Sequence, residues 1–450
     1  MSATVGHARS SPGPARGLGR AALLVVPALF AGNLVSYLFT VVVARQLGPA
    51  AYGALGGLLA IVIALAVPGM ALQLVVARNV AVCRRDGVAA GSLQAAVIRL
   101  GLRAGVALAV PALAAAPLLS GYLHLGSPGP PAWLAVNLAL LPLLFAVSGL
   151  LQGRERFGVL TAVLLLVAAG KLPLGVALVA AGYGVEGALA GVAVGTLAAV
   201  LLGVAACGRA RHRPGPAAAD PEGSGEPRRG APVGREGSGG PRGGAPQDRV
   251  AGLGPELTAA ALGVVGLVAI TNLDVLLARH YLPEAASGLY AAGSVVAKVT
   301  YWAPLAGVMV VFPRLAAGAG RRTLLRQAAL ATLAFGALCT AASALLALWP
   351  ALLPFGRAYA AVGPDLPLFA ALGTAFAMVQ LLLFSDIAAG GRRSAWPVGV
   401  AAAGQVLLVA GPFHHSVTQI VTVALASATL LLLAGVRSSA TAAAVTERAG

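Results

Sequence analysis

Twelve long apolar stretches alternate with short polar gaps along this chain, at roughly 21–44, 53–77, 94–119, 131–151, 159–182, 186–207, 256–278, 288–312, 324–349, 365–389, 395–411 and 416–436. A helix rises about 1.5 Å per residue, so about 20 residues cross the ~30 Å hydrocarbon core of a bilayer. None of the stretches shows the period-two alternation of a barrel strand. In lipid each backbone N–H and C=O must be satisfied within its own segment, so all twelve are predicted to be helices.

The basic residues orient them. Of 31 Lys and Arg residues, 24 fall at the termini or in or beside alternate gaps, while the intervening gaps hold only Arg45, Arg279 and Arg357. Cytoplasmic loops retain Lys and Arg, and an even number of spans returns both termini to one side. The pattern predicts a multi-pass protein of a bacterial plasma (inner) membrane with both termini cytoplasmic. The run Ala21–Ala44, preceded by Arg9, Arg16 and Arg20, is long enough for a full span and is read as an uncleaved first helix. At 58% hydrophobic, 10% charged and a mean hydropathy of +0.88, the chain lacks the polar surface of a soluble globule. Its net charge of +17 is spread over loops and not gathered with aromatics on one domain, which suits membrane lipids and argues against nucleic acid.

The only long polar stretch divides the chain. The expected order is a tail at 1–20, an N-lobe of six helices at 21–207, a disordered linker at 208–255, a C-lobe of six helices at 256–436 and a tail at 437–450. The linker holds a near-duplicate, EGSGEPRRGAP from Glu222 to Pro232 and EGSGGPRGGAP from Glu236 to Pro246, too polar to bury a core. The lobes resemble one another. VVVARQLGPAAYG (Val41 to Gly53) and VLLARHYLPEAASG (Val275 to Gly288) place Arg45 and Pro49 against Arg279 and Pro283 at identical spacing, with one extra residue before the second glycine. Six helices per repeat give both copies the same orientation. The predicted fold is therefore an all-α polytopic membrane protein, two pseudo-symmetric six-helix lobes around a central cavity. Pro27, Pro111, Pro142, Pro173 and Pro304 mark candidate bends within spans.

Charges inside the spans are few, so each is informative. Arg99 and Arg103 share a face near the inner end of span three, and Lys171 sits midway along span five. Lys298 lies ten residues, about 15 Å, below the outer end of span eight. An unpaired cation at such depth costs on the order of 3 kcal/mol on the mildest scale. The four read as a basic ladder lining a wet cavity, suited to a diphosphate crossing the membrane. Two blander readings stay open: Arg99 and Arg103 are near enough to the inner headgroups to snorkel, and Asp274 on span seven is a natural ion-pair partner for Lys298. Asp274 is also the candidate for ion coupling, whereas Glu186 and Asp386 lie at span ends and read as interface anchors. Asn33, Asn272, Gln73 and Gln380 are candidates for sugar contacts in the lumen or, equally, for hydrogen bonds between helices.

Other chemistry finds little purchase. Cys83, Cys207 and Cys339 form no CxxC pair, and His414 with His415 lacks a third ligand, so neither a disulfide framework nor a metal is expected. There is no GxxxxGKS/T phosphate loop. The outer loops are short and hold no acid and base cluster, which weakens an enzyme that polymerises or ligates glycans. No cofactor is expected.

ARQLGPAAYG (Ala44 to Gly53) after a first span containing NLVSYLFTVVVA resembles the polysaccharide flippases of the multidrug/oligosaccharidyl-lipid/polysaccharide exporter superfamily. AGYGVEGALAG (Ala181 to Gly191), LDVLLAR (Leu273 to Arg279) and GLYAAG (Gly288 to Gly293) extend the resemblance over both lobes. It implies a carrier that turns a polyprenyl-diphosphate-linked oligosaccharide from inner to outer leaflet, with Lys171 at a position that often carries a cavity base. A glycan polymerase or glycosyltransferase would be its expected protein partner. The long linker departs from the family's compact pattern, and the two further helices of a lipid II flippase are absent from the pattern of apolar stretches. A drug or metabolite antiporter of the same superfamily is the alternative, and it would rest on Asp274. A scaffold that transports nothing would gain little from Lys171 and Lys298.

Overall fold

The computed structural model describes residues 14–85, 90–209, 255–316, 321–388 and 395–449. Among them every regular element is helical: α1 (Pro14–Arg85), α2 (Ala90–Ala114), α3 (Ala116–Tyr122), α4 (Gly129–Gly153), α5 (Phe157–Leu178), α6 (Gly184–Arg209), α7 (Pro255–Tyr281), α8 (Glu284–Ala316), α9 (Arg321–Ala347), α10 (Leu366–Ala388), α11 (Ala395–Ala410) and α12 (Val417–Ala449). Eight segments are long and apolar enough to cross a membrane, and two of these, Phe30–Arg84 and Phe157–Gly208, run to 55 and 52 residues and hold two spans each. This is a multi-pass membrane protein of two lobes.

Spans one and two are not separated by a loop. They are two arms of α1, bent at Gly48, whose φ of 71° is open to glycine at little cost, with Pro49 starting the second arm. The second repeat breaks at the matching place, where α7 ends at Tyr281 and α8 begins at Glu284 beyond Pro283. Of the prolines expected to bend spans, Pro27, Pro111, Pro142 and Pro173 all lie inside helices; the sharp bend in α1 is at Gly48. Spans five and six meet in a tight π-turn over Val179–Tyr183, closed by positive φ at Gly182 and Gly184. Helix extends beyond the expected ends, starting at Pro14 inside the 1–20 tail and reaching Ala449 through the 437–450 tail. Most of the linker at 208–255 lies outside the described residues.

Small residues set the helix contacts. In the N-lobe, α5 packs on α6 and α2 on α4, and α1 packs on α4 and α5. A Cβ on Gly170 would stand 2.8 Å from the Cα of Gly195, and one on Gly149 would stand 2.6 Å from the carbonyl of Gln73. Lipid offers no hydrophobic drive between helices, so such backbone approach supplies the dispersion contact that holds them. In the C-lobe α10 packs on α8, α9 and α12, and α11 bridges α7 and α12.

The lobes join at one end. A core cluster near Gly48 mixes both, bringing Phe39, Tyr52, Leu58 and Leu123 together with Ala291, Ala292, Phe355 and Tyr359. Tyr52 meets Tyr359 edge-on at 6.1 Å between ring centroids. The cluster at the opposite end of the N-lobe, built on Val76, Val80, Leu150, Leu151 and Cys207, draws on the N-lobe alone.

Gly195→Val would push its side chain into the backbone of Gly170 and Lys171. It is expected to cost about 1–3 kcal/mol, read as a lower melting temperature in detergent, whereas Gly399→Ala, with open space around it, is expected to leave the melting temperature unchanged.

Candidate functional site

The α5 helix carries Lys171 fourteen residues from Phe157, about 21 Å along its axis. Its backbone is fixed by α6, since a Cβ on Gly195 would stand 2.8 Å from Lys171 N. Its ammonium lies 5.4 Å from the centre of the Phe39 ring on α1, a contact worth on the order of 0.5–2 kcal/mol. Among the described residues it has no carboxylate partner. Lys298 lies fourteen residues from the first residue of α8, Glu284, so about 21 Å in and deeper than the sequence boundaries gave.

Asp274 is buried on α7, 2% exposed. Its Oδ2 accepts a 2.8 Å hydrogen bond from the Tyr290 hydroxyl on α8, and its Oδ1 accepts one from the Val275 N–H at 2.9 Å. Among the described residues Asp274 and Lys298 close no ion pair. The Asp274 carboxyl is held instead by a tyrosine clamp, so the ion pair left open as the alternative reading of Lys298 is not formed among the described residues. Two residues before Asp274 on α7, Asn272 donates to the Val268 carbonyl at 2.8 Å while its Oδ1 has no partner among the described residues.

No protein-family model and no curated protein matches the sequence. Among solved structures, an inward-facing multidrug resistance MATE family transporter of the MOP superfamily superposes with a TM-score of 0.63 at 15% identity, over 90% of this chain and 94% of that one. An outward-facing MATE family transporter gives 0.58 at 14% identity, over 96% and 97%. A MOP superfamily transporter from Pyrococcus furiosus, described by the reversed polarity of its binding pocket, gives 0.51 at 17% identity, over 93% and 95%. The chain has the MATE-type transporter fold.

On this MATE-type frame the remaining candidates scatter. Arg99 and Arg103 are exposed on α2, on the side turned away from α4, beside the exposed Leu102 and Val106. Gln73 donates to Gln152 Oε1 at 3.0 Å across α1 and α4, a bond between helices. Gln380 is 7% exposed within α10, and Asn33 is exposed on α1. The structure therefore sets Asp274, Tyr290 and Lys298 on two adjoining helices and Lys171 beside Phe39. It does not extend them into a continuous ladder through Arg99 and Arg103.

Residue spacing did not single out Tyr290; the signal lay in its place sixteen residues after Asp274, across the break that folds α8 back on α7. His414, read with His415 as a pair lacking a third metal ligand, meets the Tyr281 ring at a tilt with 5.1 Å between centroids, while His280 stacks on Tyr122 of the N-lobe at 4.0 Å. Among the described residues no three His, Cys, Asp or Glu side chains group as metal ligands.

Two substitutions separate structural from functional polar groups. Tyr290→Phe removes the clamp on a buried carboxyl and is expected to destabilise by about 1–3 kcal/mol. Lys171→Met removes a cation that has no carboxylate partner among the described residues and is expected to hold or raise the melting temperature, the behaviour of a residue kept for function.

Proposed function

We propose that this protein is an alternating-access carrier that moves a polyprenyl-diphosphate-linked oligosaccharide from the inner to the outer leaflet of a bacterial plasma membrane, with both termini cytoplasmic and the Gly48 end facing out. The observation that carries the reading is Lys171, a cation deep in an apolar bundle that meets an aromatic ring and, among the described residues, no carboxylate. Such a charge is costly in hydrocarbon unless an anion comes to it, and a diphosphate supplies one. Lys298 adds a second positive charge at similar depth from the opposite side. The two-lobed MATE-type fold supports rocking of one lobe against the other, which lets the headgroup pass a wet interior while the prenyl tail stays in lipid. A glycan polymerase or glycosyltransferase is the protein partner this chemistry calls for.

A second reading has its own observation. Asp274, buried and clamped by Tyr290, is a carboxyl placed to couple ion movement to a drug or metabolite antiporter, and multidrug transporters are among the structures that share the fold.

Both are tested in proteoliposomes. A fluorescent polyprenyl-diphosphate oligosaccharide is expected to change leaflet with the native chain and to do so at least tenfold more slowly with Lys171→Ala or Lys298→Ala. Native protein that leaves this lipid in place but extrudes organic cations under a proton or sodium gradient, with activity lost in Asp274→Asn, supports the antiporter instead.

A further inference from the structure

Arg45 and Arg279 hold equivalent positions in the two repeats, and each crosses to the opposite lobe. Arg279, at the end of α7, donates from Nε to the Leu123 carbonyl at 2.7 Å and from Nη2 to the His124 carbonyl at 3.0 Å, both in the connection between α3 and α4. Its Nη1 reaches Ser287 Oγ at 3.1 Å and the Ala50 carbonyl at 3.4 Å. Arg45, at the end of the first arm of α1, donates from Nε to the Pro354 carbonyl at 2.7 Å, in the connection between α9 and α10. Counted by spans, these two connections are themselves equivalent, three to four and nine to ten. Each also contains a residue of positive φ, His124 at 49° and Gly356 at 92°, which turns the local chain. The neighbours follow suit: Tyr359 donates to the Ala44 carbonyl at 2.8 Å, and His280 Nδ1 lies 2.9 Å from the Tyr122 carbonyl. Between the two arginines α1 and α8 touch backbone to backbone, where a methyl on Gly288 would collide with the Pro49 carbonyl.

We infer that Arg45 and Arg279 are paired latches of the outer gate, holding the Gly48 end shut through arginine-to-carbonyl bonds that exist only while the lobes meet there. The chemistry suits a gate better than a permanent weld. A guanidinium donating to neutral carbonyls gains directional bonds without the desolvation of a second charge, and water at an opened outer face satisfies donor and acceptor alike. Buried apolar packing alone offers no such exchange. The halves are unequal: Arg279 is 3% exposed and carries several bonds, whereas Arg45 is exposed and makes one, so Arg279 is the stronger latch. The inference rests on the carrier reading and on its orientation but not on the identity of the cargo.

The test is the distance between spin labels on Gly126→Cys and Ala285→Cys, both exposed at the Gly48 end, with a second pair on Val82→Cys and Trp396→Cys at the opposite end. Both pairs are placed in a full chain whose Cys83, Cys207 and Cys339 are replaced by alanine. Without any substrate, Arg279→Gln is expected to add a longer-distance population at the Gly48 end and a shorter one at the opposite end. Arg45→Gln is expected to do so more weakly, and the double substitution most. Because Arg45 is exposed and makes a single bond, its variant keeps the test open if Arg279→Gln fails to fold. Glu284→Gln removes only the exposed ion-pair partner 3.7 Å from Arg279, and it is expected to leave both distances as in the native chain. Unchanged distances in the folded arginine variants, lengthening at both ends together, or an equal opening by Glu284→Gln would each overturn the latch. None of these readouts depends on lipid translocation, so a failed translocation assay and a failed latch are separate results.

Discussion

A positive charge inside an apolar helix bundle must be met by oxygen or by a ligand, and the protein sorts its cations by that rule. Arg279 is met by carbonyls of the other lobe, and Arg154 and Arg156 reach the carbonyls of Cys207 and Ala206 at the end of α6. Each therefore ties two segments together. Lys171, on the same rule, finds a ring face and no carboxylate among the described residues. Arginine suits the first task because its rigid fork addresses several acceptors at once, and lysine the second because a compact ammonium can take an incoming oxyanion from many directions. The division of labour between fixed joints and a waiting charge follows from where the oxygens lie.

The rule also gives the lobes their freedom. Within each lobe, glycines bring helix backbones into contact at positions such as Gly170 with Gly195 and Gly373 with Ala297, and no water can enter such seams. Between the lobes, the side-chain hydrogen bonds gather at the Gly48 end and use acceptors that water can replace. A machine of two stiff bodies and one exchangeable joint is what rigid-body rocking needs.

The sequence shows most of the fold because each of its signals is local. Span lengths follow from runs of apolar residues, and the kink at Gly48 stands in the repeat where Gly48 and Pro49 face Leu282 and Pro283. The clamp on Asp274 was not legible, since Tyr290 reaches it only through the packing of α8 on α7. For the four residues expected to form a basic ladder, only depth was legible. Depth along a helix can be counted, which placed Lys171 and Lys298 well inside, but the direction a side chain takes depends on which helix packs where. Gly101 and Gly105 turn one face of α2 to α4, and that leaves Arg99 and Arg103 on the exposed side. Arg45 and Arg279 stood out as exceptions to the charge pattern, and their reason, carbonyls supplied by the opposite lobe, lies more than 150 residues away along the chain.

Whether the interior cations await a diphosphate is decided by equilibrium binding of three polyprenyl lipids of equal chain length to the protein in nanodiscs, followed by native mass spectrometry. Retention is expected in the order diphosphate, monophosphate, neutral alcohol, with the preference for diphosphate lost when Lys171 is replaced by methionine. Equal retention of the neutral alcohol, or a diphosphate preference that survives the loss of Lys171, would contradict it.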